Sequence, residues 1–147
     1  MIKHLTILGH RMTRMFPILL FIGLAWGQDD CTADDGTEGI ELWEDCYSIE
    51  NTQSINLVCV MCPASQKLQG PIPPEIGLLT NLTVLNILLN NISGPIPSEI
   101  GDLTNLITLN LGYNNLSGPI PSEIGNLTNL NTLHLAGNHL SEPSQVK

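Results

Sequence analysis

Residues 94–117 read GPIPSEIGDLTNLITLNLGYNNLS, and nearly the same sequence stands immediately before and after them. The three copies cover residues 70–93, 94–117 and 118–141, and 14 of the 24 positions are identical in all three. A fixed period of this length indicates a solenoid, in which each unit buries its apolar edge only against its neighbours. The repeat therefore decides the architecture of this part of the chain.

The apolar positions of the repeat predict one short strand followed by a turn. Leu109 and Leu111 are separated by a single residue, so both side chains point inward from an extended segment. Asn114 follows where the chain turns, and Asn90 and Asn138 hold the same place in the other copies. A buried asparagine is tolerable there only if its amide bonds free backbone groups of adjacent coils, which predicts an asparagine ladder.

The segment Ser-Gly-Pro-Ile-Pro at 117–121 predicts an irregular outer side. Each proline lacks an N–H, and glycine permits unusual dihedral angles, so this segment should continue neither a strand nor an α-helix. We expect extended and 3-10 pieces there.

Residues 106–116, LITLNLGYNNL, resemble the leucine-rich repeat pattern, and the following Ser-Gly-Pro-Ile-Pro resembles its extracellular, plant-type subclass. That subclass includes receptor-kinase ectodomains and polygalacturonase inhibitors, and similar repeats occur in secreted microbial proteins. The resemblance implies an α/β solenoid with parallel β-strands on a concave side, an irregular or 3-10 convex side and a disulfide-bearing N-terminal cap. It is strong over residues 70–141 and weak over residues 55–69.

The N-terminus has the pattern of a secretory signal peptide. Lys3, Arg11 and Arg14 precede an apolar run over residues 15–25, which is too short to span a bilayer. The small residues Ala25 and Gly27 fit cleavage before residue 28, so we interpret residues 1–27 as the signal, starting at Met1 or Met12. We expect a secreted or extracellular protein, at a cell surface or in a periplasm, with no transmembrane segment in the mature chain.

The charge is unevenly distributed. The whole chain has 5 basic and 14 acidic residues, a net charge of −9, and nine of the acids lie within residues 29–50. Without residues 1–27 only two lysines remain, so the mature net charge is 2 − 14 = −12. This acidity excludes the basic footprint of a nucleic-acid-binding protein.

The remaining segments are interpreted as a cap, a degenerate repeat and a tail. Residues 28–54 form the acidic, cysteine-containing cap, whose Trp43 and Tyr47 would shield the apolar end of the solenoid. Residues 55–69 form a degenerate first repeat, and residues 142–147 a short tail or a truncated cap. A shift back by one repeat puts Met61, Pro63, Gln66 and Leu68 where Leu, Leu, Asn and Leu stand.

At the far end of the array, Leu133, Leu135 and Leu140 should be partly exposed, because no further repeat follows. Two interpretations stay open there: a chain with a short cap, or a fragment of a longer array.

The four cysteines predict disulfides in an exported chain. Cys31, Cys46, Cys59 and Cys62 allow three connectivities. Cys59 and Cys62 also form a CxxC motif, which is typical of thiol redox chemistry or of half a zinc site. A structural staple is the preferred interpretation, and no metal site or cofactor is expected.

Three further patterns could have a function, but a solvated surface is the preferred interpretation of each. The acids Asp29, Asp30, Asp34, Asp35 and Glu38 would suit calcium, but their spacing fails the EF-hand pattern. A column of Glu75, Glu99 and Glu123 could bind cations loosely. A row of Thr80, Thr104 and Thr128, beside Asn81, Asn105 and Asn129, could order water as ice-binding proteins do.

Four Asn-x-Ser/Thr sequons mark candidate N-glycosylation acceptors for a eukaryotic secretory pathway. They are Asn81, Asn91, Asn115 and Asn126.

The positions that differ between copies carry the functional prediction. Five of the ten non-identical positions flank the inward strand residues and should face the concave side. A fixed scaffold with a changing face is typical of a binding surface, although drift at exposed positions gives the same pattern. The candidate ligand-binding residues are Thr83, Val84, Asn86, Leu88, Ile107, Thr108, Asn110, Tyr113, Asn131, Thr132 and His134.

Three functions follow in order of preference. The first is a secreted, non-enzymatic recognition module that binds a protein or glycan through its concave face. The second is a structural or accessory fragment of a longer repeat array or receptor-like ectodomain, with no ligand of its own. The third is a CxxC thiol protein.

Overall fold

The computed structural model describes residues 30–142, so the predicted signal peptide and residues 143–147 lie outside the described part. The described chain forms three small sheets from eleven short strands. The strands are β1 (Asp30–Thr32), β2 (Glu38–Leu42), β3 (Asp45–Ser48), β4 (Ser54–Asn56), β5 (Gln69–Gly70), β6 (Val84–Asn86), β7 (Asn91–Gly94), β8 (Thr108–Asn110), β9 (Asn115–Pro119), β10 (Thr132–His134) and β11 (His139–Ser141).

One parallel sheet stacks the coils in the order β10-β8-β6-β4. Leu85 pairs with Leu109 and Leu109 with Leu133, so the repeat period of the sequence is also the register of the sheet. Leu109 and Leu111 are fully buried, as their spacing predicts. The predicted solenoid with parallel strands is confirmed.

A second parallel sheet, ordered β11-β9-β7-β5, runs along the other edge of the coils. It includes the Ser-Gly pairs and extends to Pro119, so the expectation that Ser-Gly-Pro would not continue a strand is wrong. Gly94 and Gly118 adopt φ of 82° and 83°, and the proline falls at the strand end, where a missing N–H costs no ladder bond.

Short 3-10 turns complete each coil on the outer side, as the sequence predicts. They span Ala64–Gln66, Pro74–Leu78, Ser98–Asp102 and Ser122–Asn126. None of the helical segments between residues 30 and 142 has the length and apolar character that a membrane span requires.

The predicted asparagine ladder is confirmed. Asn114 is 5% exposed, and its Nδ2 donates to the carbonyls of Ile87, Leu111 and Gly112 at 3.0 to 3.1 Å. Its Oδ1 accepts the backbone N–H of Ile92 at 3.1 Å. Asn90 and Asn138 make equivalent bonds in their coils. Each amide thereby bonds both its own coil and the preceding one.

Close coil packing on the outer side depends on one repeated glycine. A Cβ at Gly77 would lie 2.8 Å from the carbonyl oxygen of Glu99, and one at Gly101 would lie 2.7 Å from that of Glu123. At Gly125, in the same position of the last coil, a Cβ would meet nothing within 4 Å among the described residues.

The first coil departs from the predicted alignment. Ile55 pairs with Leu85, so Ile55 takes the inward strand position although it lies more than one repeat period before its partner. Met61, which the shift by one repeat placed there, is 96% exposed, and Pro63 begins an outer turn. Gly70 lies one regular period before Gly94, whereas Ile55 lies six residues more than one period before Leu85. Six extra residues therefore lie between β4 and Gly70, and this insertion made the predicted alignment of the first coil wrong.

The cap is an antiparallel sheet in the order β1-β2-β3. A disulfide joins Cys31 to Cys46 across the middle strand, where a Cβ at Gly39 would lie 2.7 Å from the Cys46 sulfur. Trp43 packs against the solenoid core, and its Nε1 donates to the Pro71 carbonyl at 3.3 Å. Tyr47 packs against the same core.

The second disulfide joins Cys59 to Cys62, so the four cysteines pair as neighbours along the chain. By the loop-entropy estimate, the 15-residue separation of the cap disulfide stabilises by about 3 kcal/mol. The CxxC loop, with a separation of three, contributes about 2 kcal/mol by the same estimate.

At the far end, the last described coil keeps part of its apolar side uncovered. Leu133 is 46% exposed, and Leu135 and Leu140 are half-buried, as expected.

Two groups in the cap have shifted pKa values. Hydrogen bonds from the side chain and backbone of Thr37, then from Asn51, lower the pKa of Asp35. Burial, reinforced by the charge of Asp45, raises the pKa of Tyr47 from 10.0 to about 12.

The glycine pair gives a matched stability prediction. Gly101→Ala should lower the free energy of unfolding by about 1 to 3 kcal/mol, because the added methyl cannot fit against the next coil. Gly125→Ala should change it by less than about 1 kcal/mol, since the same position is open there. Urea unfolding of both variants measures the difference, and equal losses would contradict this account of coil packing.

Tyr47 predicts a loss of stability in alkali. The unfolded chain releases the phenol proton near pH 10, whereas the folded chain holds it until about pH 12 because the pKa is raised. The stabilisation is therefore complete below pH 10 and is lost as the pH rises through 12. Tyrosinate absorbance should show one midpoint near 12 that Tyr47→Phe removes, and urea midpoints should fall less steeply above pH 10 in that variant. A Tyr47 midpoint near 10 in the folded protein would disprove the shift.

Candidate functional site

The outward side chains of the β10-β8-β6-β4 sheet form the candidate site. In β6 and β8 the middle leucine is buried and the two flanking residues are half-exposed, so these point away from the core. We call this surface the concave face. Its strand positions are Ser54, Asn56, Val84, Asn86, Thr108, Asn110, Thr132 and His134.

A row of amides crosses the concave face from coil to coil. Asn86 Nδ2 donates to Asn56 Oδ1 at 3.0 Å, and Asn110 Oδ1 lies 3.0 Å from His134 Nδ1. Asn110 Oδ1 also accepts the backbone N–H of Gly112 at 3.2 Å. These bonds fix the orientation of the side chains without using all of their donors and acceptors.

An aromatic pair lies at the end of this row. The rings of Tyr113 and His134 are 6.0 Å apart between centroids and inclined by 59°. Tyr113 is 56% exposed and His134 is half-buried. Together with Asn110 they present two aromatic rings and an amide on one patch, which we call the aromatic patch.

Two glycines make room for the aromatic patch. A Cβ at Gly112 would lie 2.6 Å from His134 Nδ1, and one at Gly137 would lie 2.7 Å from the Tyr113 ring. Tyr113 itself adopts φ of 50°, a left-handed conformation that is unfavourable for a bulky residue. The ring therefore sits over Gly137 in a conformation that the surrounding coil imposes.

An open groove with a volume of about 760 Å³ borders the concave face where the strands begin. Three predicted residues, Thr83, Ile107 and Asn131, line it. It is also lined by Glu50, Gln53, Asn81, Asn105 and Asn129, which the sequence did not single out as ligand-binding residues. Gln53, like Ser54 and Asn56, was missed because the register of the first coil was misplaced; the alternation around Ile55 was the available signal.

The structure thus divides the predicted residues between two regions of one face. Thr83, Ile107 and Asn131 lie at the groove, while Asn110, Tyr113 and His134 form the aromatic patch. Between them lie Val84, Asn86, Leu88, Thr108 and Thr132, which are half-buried except for the exposed Thr132.

The Thr-Asn row serves coil packing. Asn81, Asn105 and Asn129 each donate through Nδ2 to a backbone carbonyl of the preceding coil, at 2.8 to 2.9 Å. Their amides are therefore engaged, which weakens the case for a water-ordering surface.

The four candidate glycosylation residues differ in the freedom of their amides. Asn81 donates to the carbonyl of Glu50, and Asn115 donates to Asn91 Oδ1 at 2.9 Å. Asn126 is exposed at the end of the last 3-10 turn. Glycosylation at these residues stays a prediction.

The acidic side chains that the structure describes do not converge on one site. Between residues 31 and 142 no three His, Cys, Asp or Glu side chains come close enough to hold a metal ion. The carboxylate of Asp35 instead accepts hydrogen bonds from Thr37 and Asn51 within the cap. Glu99 and Glu123 accept from the adjacent Ser98 and Ser122.

Comparisons with known proteins agree with this geometry. The family model described as Leucine Rich Repeat matches residues 81–103 and 105–127. A search of curated proteins gives no significant match.

Several solved structures are similar to the chain, and one of them is a plant peptide hormone receptor. The plant peptide hormone receptor RGFR1, solved with RGF2, is 38% identical with a TM-score of 0.58, over 80% of this chain and 18% of that chain. PEPR1, solved with AtPEP1, is 31% identical with a TM-score of 0.54, over 76% of this chain and 13% of that chain. A chain of the BIR3–SERK2 complex from Arabidopsis thaliana is 30% identical with a TM-score of 0.52, over 72% of this chain and 64% of that chain.

This chain spans less than two thirds of each of those three structures. The repeats at residues 81–103 and 105–127 match the Leucine Rich Repeat family model, and the chain is similar to plant receptor ectodomains.

Proposed function

We propose that the chain is an extracellular, non-enzymatic recognition module whose concave face binds a protein or glycan ligand. The two disulfides and the similarity to receptor ectodomains support an extracellular location. The same similarity supports a binding role rather than catalysis.

The observation that carries this proposal is where the variation between repeats falls. The identical positions include the buried leucines, the ladder asparagines and the close-packed outer glycines. The variable positions include the outward strand residues and the turn residues that build the aromatic patch. The position of Tyr113 is occupied by Leu89 in the preceding repeat and by Gly137 in the following one, and the position of His134 is occupied by Asn110 in the preceding repeat. The patch therefore occurs at one place only within the three repeats.

The chemistry of the concave face favours a ligand with hydrogen-bonding groups and little charge. The strand positions offer hydroxyls, amides and an imidazole, and the adjoining groove adds the carboxylate of Glu50. Tyr113 supplies the large amphipathic side chain that binding hot spots need. An extended peptide is the first candidate, because RGFR1 and PEPR1 are solved with peptides; a neutral glycan fits the same aromatic and amide groups.

A structural role is the second candidate. The half-covered apolar side of the last described coil would suit a segment that stacks on further repeats. In that case the concave face would have no ligand of its own.

Selection from a phage-displayed library of random linear peptides, in parallel with a glycan array, tests the proposal. Ligands enriched on the wild-type protein should bind the Asn110→Ala, Tyr113→Ala double variant about tenfold or more weakly, because the patch loses its ring and its amide.

The Ser98→Ala, Ser122→Ala double variant is the matched control, since it alters two exposed residues on the outer 3-10 turns, away from the concave strands. It should bind like the wild type. Ligands that bind all three proteins equally, or no enrichment on either library, would contradict recognition through this face and favour the structural role.

A further inference from the structure

The insertion in the first coil carries a feature that recognition by the concave face does not use. The six extra residues lie between β4 and β5, and at their tip Val60 and Met61 are 71% and 96% exposed. The disulfide between Cys59 and Cys62 brackets this tip.

Hydrogen bonds anchor both ends of the insertion independently of that disulfide. The N–H groups of Leu57 and Cys59 donate to carbonyls of the next coil at 2.8 and 3.2 Å. Asn90 bonds the Leu57 carbonyl at 2.7 Å and accepts the Leu68 N–H at 3.0 Å, which joins the entry and exit of the segment. These hydrogen bonds do not involve the sulfurs, so the coil keeps them when the disulfide opens.

The two cysteine residues of this disulfide differ in exposure. Cys59 is 7% exposed and belongs to the part of the insertion that is bonded to the sheet. Cys62 is half-buried and directly follows the almost fully exposed Met61. An external thiolate would thus reach the Cys62 sulfur and displace the Cys59 sulfur.

The electrostatic surroundings of the two disulfides also differ. Asp45 is adjacent to Cys46 in the sequence, and Glu41 pairs with Cys46 on β2, so the cap disulfide lies in an acidic segment, which disfavours an attacking thiolate. No acidic residue occurs between Glu50 and Glu75, and Lys67 lies within that stretch. Thiolates are favoured near positive charge and disfavoured near carboxylates.

We propose that Cys59 and Cys62 form a reversible thiol–disulfide exchange site that opens while the cap disulfide and the solenoid stay intact. A thiolate of an external dithiol attacks Cys62 Sγ, forms a mixed disulfide and releases Cys59 as a thiolate, which takes up a proton. The second thiol of the donor then loses its proton and attacks the donor sulfur of the mixed disulfide, which breaks the bond to Cys62 Sγ and releases Cys62 as a thiolate that takes up a proton. The donor is oxidised to a disulfide, and the chain gains two electrons and two protons as two thiols.

Graded reduction of the native protein with dithiothreitol, followed by alkylation and mass spectrometry, tests the site. Cys59 and Cys62 should become alkylated at a dithiothreitol concentration about tenfold or more below that required for Cys31 and Cys46. The far-ultraviolet circular dichroism spectrum should not change over that range. Opening of both disulfides together, or opening only in denaturant, would overturn the proposal.

Single serine variants test which sulfur is attacked. With oxidised glutathione, Cys62 in Cys59→Ser should be glutathionylated about tenfold or more faster than Cys59 in Cys62→Ser, because only Cys62 is accessible. Equal rates or the reverse order would refute the assignment. The Cys59→Ser, Cys62→Ser double variant should keep the wild-type spectrum, and its failure to fold would show that the disulfide is a staple.

Discussion

The buried asparagine amide between coils is the interaction on which the rest of the structure depends. A coil that turns after only three strand residues leaves backbone carbonyls and N–H groups facing the interior, where water cannot reach them. Asn114 satisfies four such groups, drawn from its own coil and the preceding one. An amide has two donors and one accepting oxygen in fixed geometry, so the distance between coils and the place of the turn are set together. The regular period of the repeats follows from that requirement.

The sequence predicted the parts of the fold that are repeated, because repetition exposes which residues cannot change. The inward Leu109 and Leu111, the ladder at Asn114 and the 3-10 turns all follow from spacing and side-chain chemistry. The first coil was misplaced because Ile55 lies farther than one repeat period before its partner, and one sequence contains no second copy of the insertion. The cysteine pairing was equally beyond prediction, since four cysteines without fixed neighbours allow three connectivities.

For the candidate site, the sequence indicated which residues share one face but not the contacts between them. Variation between repeats located Tyr113 and His134, but nothing in the pattern showed that Gly112 and Gly137 leave the space in which their rings lie. Those glycines vary between repeats like the candidate binding residues, so the sequence pattern does not distinguish them from the rest of the face. Only the distances show that a side chain at either glycine would collide with the ring of His134 or Tyr113.

Coil packing uses one set of residues and leaves others available for the two proposed sites. Coil packing involves the buried leucines, the ladder amides and the outer glycines. It does not involve the side chains that point away from the sheet or the segment inserted between β4 and β5. The proposed ligand site consists of the outward side chains of the concave face, and the proposed exchange site lies in the inserted segment. The acids are concentrated in the cap, which covers the end of the core through Trp43 and Tyr47. Because charges separated by more than about 8 Å in physiological salt are largely screened, the cap can be strongly acidic while the aromatic patch three coils away stays electrostatically neutral.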